Sequence, residues 1–335
     1  MSASAWVVAV LGAASEVGRE ILSVLAERGA PVAGWRLYDT TDDGVEGSPE
    51  DFPAPVEFGD TVELTGVDVA FLCGPADKAR GWAAQARKAG ALCIDVSHAL
   101  VEDGAVLIVP EVNGDDIADA FDDGLFACPV PGATALAVAL RPLDDSAGLK
   151  RVLVTALEPV SHAGSAGVDE LARQTRELLT GGAIESEVFP HRIAFNLIPQ
   201  VGDLLPGGRT RAEWQLESQT RALLDLPDLP IAVTSVCVPT FYGQAYLIQV
   251  ETDRPMDADT ARALLREAPG VLLSDAGTYP TLVDAIGSEA TLIGRVRDDP
   301  TVPFGVTLWT VIDGLRKGSA VNAVQIAERA LRERG

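Results

Sequence analysis

The sequence predicts an α/β chain of two domains, a parallel sheet wrapped by helices followed by an α+β domain. Three observations carry this. Through residue 130, short apolar runs alternate with helical stretches, the pattern of a sheet covered on both faces. Beyond Pro142 the β-rich runs become longer and fewer. The chain then closes on one more helical segment, able to return to the first domain. A length of 335 residues suits two such domains better than one core, with boundaries expected at 1–130 plus 317–335 and at 131–316.

Taken in order, Trp6–Leu11 is an apolar run that reads as the first strand, and Val17, Ile21, Leu22 and Leu25 mark a helix over Val17–Arg28. Trp35–Tyr38, Val67–Leu72, Leu92–Val96 and Val106–Val109 are further short strands. Ala76–Ala89 reads as a helix with a basic, exposed face, and the acidic stretch Asp42–Asp60 as a surface connection. In the second domain Val152–Leu157, Ile231–Val238, Ala245–Glu251 and the β-branched Val306–Ile312 are strands. Val168–Leu179 and Arg211–Leu224 are amphipathic helices, so a mixed or antiparallel sheet with helices on one side is expected. Lys317–Arg334 is helical again through Val321, Val324, Ile326, Ala327 and Leu331.

Composition removes several classes of function. With 47% hydrophobic and 22% charged residues the chain is not disordered, and no apolar run approaches a membrane span. A net charge of -23 disfavours nucleic acid and anionic membranes as partners. Only four of the 26 basic residues are lysines, which fits a salt-adapted surface or simply a GC-rich genome. Cys73, Cys93, Cys128 and Cys237 form neither a disulfide framework nor a zinc-ligand spacing, and no two histidines stand at metal-ligand spacing, so no metal is predicted. The apolar N-terminus lacks a basic leader and reads as a strand rather than a signal peptide, which places the protein in the cytoplasm.

Gly12-Ala13-Ala14-Ser15-Glu16-Val17-Gly18 lies between the first strand and the first helix. Unpaired N–H groups at a helix start suit a pyrophosphate, and small residues let the backbone approach it. Gly12, Ala13, Ser15, Glu16 and Val17 are therefore the candidate dinucleotide contacts. Asp39, at the end of the second strand, would accept hydrogen bonds from ribose hydroxyls and repel the 2′-phosphate of NADP, as would Asp42 and Asp43. NAD is favoured over NADP.

Three further segments carry a recognisable order. Val109–Asn113 reads VPEVN, Phe189–Gln200 reads FPHRIAFNLIPQ, and Leu315–Gln325 reads LRKGSAVNAVQ. With the glycine loop they resemble the GATGxVG, VPEVN, IAFNxIP and LRKGAAxNAVQ segments of the aspartate-semialdehyde dehydrogenase family over nearly the whole chain. The resemblance implies a Rossmann-type domain, an α+β domain carrying dimerisation and substrate groups, and a C-terminal helix returning to the first domain. The implied reaction is phosphate-dependent hydride transfer between a nicotinamide cofactor and an aldehyde. In that reaction a cysteine thiolate attacks, a histidine handles the proton, and phosphate cleaves the thioester.

Carried over residue by residue, most of that machinery is missing. The family's NPNCSTIQ matches Cys128–Ala135, which puts Pro131 at the nucleophile and Ala135 at the glutamine. The substrate-clamping arginine of RVP falls on Cys237, and the histidine of GHS falls on Gln244. The phosphate arginine falls near Val101. Glu213 keeps the acid of the family's EWK, without its lysine, and is the candidate substrate residue. Ser15 replaces a loop glycine and Gly314 the asparagine of DNLRKG. These losses are similar to those of the Usg-like group of divergent paralogues.

The expectation is a dinucleotide-binding regulatory homodimer, paired through its second domain, that takes a small ligand but lacks aspartate-semialdehyde dehydrogenase catalysis. The alternative is an NAD(P)-dependent oxidoreductase acting on an aldehyde or oxo group without a covalent cysteine intermediate, using Cys128, His162 or Glu213. A structural partner that binds no cofactor is the third reading. Cys128 precedes a helix start that would lower its pKa, set against a buried, inert thiol. His98 and His191 read as structural, and Arg192 and Arg316 as members of surface or interdomain salt bridges.

Overall fold

Two compact units make up the chain, Met1–Val130 with Leu315–Gly335, and Pro131–Gly314. The computed structural model describes residues 5–40, 52–59, 61–121 and 123–334. Asp42, Asp43 and most of the predicted acidic connection lie outside the described residues.

The first unit is a seven-stranded parallel sheet in the order β3-β2-β1-β4-β5-β7-β6. Its strands are β1 (Trp6–Leu11), β2 (Val32–Asp39), β3 (Val56–Phe58), β4 (Val69–Leu72), β5 (Leu92–Asp95), β6 (Val106–Leu107) and β7 (Leu125–Ala127). The helices here are α1 (Glu16–Glu27), α2 (Ala76–Lys88) and the single turns α3 (Pro110–Asn113) and α4 (Asp116–Asp119). Side chains alternate across the sheet. Val8, Val10, Phe71 and Ile94 pack on one face with Ile21 and Leu25 of α1, while Ala9, Leu11, Leu72 and Cys93 meet Trp82 of α2 on the other. The β3 strand corrects the reading of 42–60 as connection alone. The run Val106–Val109 stops early because Pro110 starts α3.

The second unit begins with α5 (Pro131–Ala147), whose buried stripe includes Leu136, Val138, Leu140 and Leu143. This helix continues through Pro142, where the sequence suggested a change of style. A proline there removes one backbone donor, but burial of the flanking face keeps the helix intact. Next come β8 (Leu149–Glu158), α6 (Gly164–Thr180), α7 (Arg211–Leu224), β9 (Ile231–Cys237), β10 (Gln244–Thr252), α8 (Ala258–Glu267), β11 (Val271–Leu273), α9 (Leu282–Ala285), β12 (Thr291–Asp299) and β13 (Gly305–Ile312). The sheet order is β11-β12-β13-β10-β8-β9, mixed, with parallel pairs only at its two edges.

Within β12 the register slips between Gly294 and Arg297, and Arg295 takes φ 49°. That left-handed conformation costs a non-glycine residue roughly 1–2 kcal/mol. The chain then rejoins the first unit at Leu315 rather than Lys317, through a π-helical turn, Arg316–Val321, and α10 (Asn322–Arg334).

Candidate functional site

In the first unit the glycine loop is built for close approach. A Cβ on Gly12 would lie 2.4 Å from the Gly74 nitrogen, and one on Gly18 would lie 2.2 Å from the Gly12 carbonyl. Ser15 caps α1, its Oγ accepting from the Gly18 N–H at 3.0 Å. The departure from glycine at Ser15 therefore gives the helix a side-chain cap. Glu16 and Val17 start the helix with N–H groups that meet no acceptor among the described residues. Asp39 braces the loop, Oδ2 accepting from Ala14 N–H at 2.9 Å and Oδ1 from Thr40 N–H at 2.8 Å. Each carboxylate oxygen keeps a further lone pair for a ribose hydroxyl. Arg19 lies beside the same loop, its Nε donating to the Ala14 carbonyl at 3.1 Å. These residues fit the pyrophosphate and adenosine ribose of a nicotinamide dinucleotide. Bound there, the cofactor would supply hydride chemistry.

Behind the loop, Cys128 is fully buried, and burial pushes its thiol up to about 12. Burial and the raised thiol favour the buried, inert reading of Cys128 over a thiol activated by a helix start. Asn322 Nδ2 donates to its sulfur at 3.5 Å, and His98 Nδ1 lies 3.0 Å from its carbonyl oxygen. Cys73 and Cys93 are likewise buried, with thiols raised by desolvation. Lys317, wholly buried in the π-helical turn, donates to Glu111 Oε1 at 2.5 Å and to Gln325 Oε1 at 3.2 Å. Arg316 pairs with Glu20 and Glu27 of α1.

The second unit holds the remaining predicted positions. Pro131 is the first residue of α5, and a Cβ on Gly314 would sit 3.3 Å from Pro131 Cβ and 2.6 Å from Gln244 Oε1. Pro131, Gln244 and Gly314 thus come together. Beneath them lies a residue the sequence reading missed. Glu158, at the end of β8 and 6% exposed, accepts from Gln244 Nε2 at 2.7 Å and from the Tyr246 hydroxyl at 3.2 Å. Burial holds its carboxyl above the ordinary value despite both donors. An acid closing the apolar run of β8 was the available signal. Gln244 Oε1 is buried with no hydrogen-bond partner among the described residues.

Cys237 closes β9, fully buried, and burial together with the Glu158 charge pushes its thiol up to about 12. Glu213 is engaged twice: Oε2 accepts from Thr210 N–H in the capping box of α7, and Oε1 accepts from Ser235 N–H at 2.9 Å. Both oxygens hold backbone N–H groups, which ties Glu213 to the start of α7 and to β9. His162 packs its exposed ring edge-on against Phe189 at 5.8 Å, and His191 and Arg192 are exposed. Val101 is part of a turn after β5. Among the described residues no group of His, Cys, Asp and Glu is arranged to hold a metal ion, and no helix is long and apolar enough to cross a membrane.

Residues 7–120 match the family model of the semialdehyde dehydrogenase NAD binding domain, and residues 140–317 that of the semialdehyde dehydrogenase dimerisation domain. The chain belongs to the semialdehyde dehydrogenase family. Aspartate-semialdehyde dehydrogenase 2 of Vibrio cholerae is 37% identical over 97% of this chain and 98% of its own. A USG-1 protein homolog of Azotobacter vinelandii is 35% identical with the same coverage. The crystal structure of aspartate semialdehyde dehydrogenase II from Vibrio cholerae superposes with a TM-score of 0.94 at 36% identity, covering 98% of this chain and 99% of that one. The family match supports a nicotinamide cofactor on the first unit, and its dimerisation domain embraces nearly all of the second.

Proposed function

We propose that this semialdehyde dehydrogenase family member has lost thioester catalysis and works as a dinucleotide-binding regulatory homodimer, paired through its second unit. One observation carries the reading: the first turn of α5 presents the ring of Pro131, and the neighbouring Gln244 amide is tied to Glu158. A proline ring cannot form an acyl bond, and an amide cannot exchange a proton near neutral pH. The thiols of Cys128 and Cys237, held near 12, offer no thiolate in exchange. NAD is favoured over NADP by the Asp39 carboxylate at the loop.

The test is a turnover assay at high enzyme concentration with aspartate semialdehyde and phosphate, run with NAD and NADP in parallel. The expected result is dinucleotide binding without reduction. Steady reduction by the purified protein overturns the reading.

The Glu158 cluster favours one second reading, an oxidoreductase acting on an oxo group without a covalent intermediate. Its proton carrier would be Glu158, since Cys128 is buried and Glu213 is committed to backbone. Turnover of an oxo substrate that is abolished in Glu158→Gln decides for it.

A further inference from the structure

The strongest unassigned feature is a cavity of about 340 Å³ at the β11 edge of the second unit, lined by Arg262, Arg295 and Arg297 together with Ser274, Asp275 and Tyr279. By register it opens where β12 bulges opposite Trp309 and Thr307, along the strand from the Gln244–Ile312 pair. Acids outnumber bases by 49 to 26 in this chain, so an arginine without a carboxylate partner is an unused cation. Arg295 is one: it is exposed, and its guanidinium has no hydrogen bond or ion pair among the described residues.

The backbone at Arg295 is held where an arginine is disfavoured. Its φ of 49° is maintained because the residues around it are pinned. Arg262 Nη2 donates to the Val296 carbonyl at 2.6 Å, and Ser274 N–H donates to the Ile293 carbonyl at 2.8 Å. Trp309 Nε1 donates to the Pro280 carbonyl at 2.8 Å, and a Cβ on Gly294 would lie 2.6 Å from Pro280 Cδ. The loop from Ser274 to Pro280 is thereby clamped on the bulge. A bulge re-aims the side chain it carries, and strain that packing maintains points to a use for that side chain.

We propose that this cavity is an oxyanion-binding site, separate from the Pro131–Gln244 cluster, for a small ligand bearing a carboxylate or a phosphate. Arg295 is the free fork. Arg297, whose Nη1 donates to the Arg295 carbonyl at 3.4 Å, flanks it, and Arg262 is partly neutralised by Asp259. Guanidinium forks match both oxyanions bidentately. Asp275 on the wall accepts from a hydroxyl or ammonium carried elsewhere on a larger ligand. The exposed Tyr279 ring offers an apolar surface to its carbon skeleton. The proposal is independent of whether the protein retains turnover.

Calorimetric titration of the intact protein at low salt, with inorganic phosphate in one arm and succinate in the other, tests it. Saturable binding in either arm is expected, and the arm that binds identifies the oxyanion. Arg295→Gly suits the positive φ, so that variant should keep or raise the thermal midpoint while weakening binding about tenfold or more. Arg176→Gln, an exposed arginine on α6, should bind as the parent protein does. Absence of saturable binding in both arms overturns the proposal. So does an Arg295→Gly variant with unchanged affinity, which would place any bound phosphate elsewhere.

Discussion

Gln244 Nε2 donates to Glu158 Oε2 at 2.7 Å, and this bond decides which end of the amide faces Gly314. With the N–H committed to the carboxylate, Gln244 Oε1 points at the site as an acceptor. The resemblance places a proton-exchanging imidazole at this position. Here an acceptor stands above a buried acid, and Pro131, the first residue of α5, lies on the other side of Gly314.

Installing a thiol alone should not revive turnover. Pro131→Cys places a cysteine at a helix start, where its pKa falls, so iodoacetamide should label it far faster than any thiol of the parent. Semialdehyde oxidation should remain undetectable, because general acid–base catalysis worth roughly 10²–10⁴ is absent at Gln244. Adding Gln244→His should bring the first measurable rate. Turnover in the single variant would show that Gln244 is no barrier.

The native thiols should be silent. All four cysteines are buried, and Cys93, Cys128 and Cys237 are pushed up to about 12. A chromogenic disulfide reagent should titrate none of them in native protein and all of them in denaturant. Cys128→Ser should leave dinucleotide affinity unchanged in a fluorescence titration.

The Lys317–Glu111 pair should dominate the stability of the first unit. Glu111→Gln leaves a buried, uncompensated ammonium and should cost roughly 3–5 kcal/mol in urea unfolding. The double variant Glu111→Leu with Lys317→Met should recover most of that loss. Burial opposes ionisation of Glu111, but Lys317 prevails and holds its carboxyl below the ordinary value. The pair's contribution is therefore present above the ordinary carboxylate pKa and lost as the pH falls through the folded value.

Glu158 should give the opposite slope. Its folded pKa is raised by burial, so its contribution is full below the ordinary carboxylate value and declines as the pH rises through the folded one. Glu158→Gln removes the titration. Its thermal midpoint should match the parent's in acid and exceed it increasingly as the pH rises. Parallel midpoints across the range would show that Glu158 does not titrate in the folded protein.

Asp39 should set the cofactor ratio. Asp39→Ser removes the charge facing a 2′-phosphate while keeping an acceptor near Ala14, and it should shift the NADP-to-NAD affinity ratio about tenfold toward NADP. Equilibrium titrations with both dinucleotides measure it.

Much of this was legible in the chain itself. The run Trp6–Leu11, the small-residue loop and the spacing of Ile21, Leu22 and Leu25 are local patterns, and local patterns survive folding unchanged. That a proline stands at position 131 is read directly from the chain and needs no geometry. Tertiary structure alone decided the rest. Glu158 and Gln244 stand 86 residues apart and meet because β8 and β10 pair in one register. Arg295 reaches its strained conformation only because β12 carries one residue more than β13 across the bulge. Glu213 was chosen from its motif, yet the N–H groups that occupy it come from a helix cap and a strand. For Cys128 the sequence offered both a helix start and burial, and enclosure decided between them, because desolvation outweighs a helix terminus once the sulfur is fully buried.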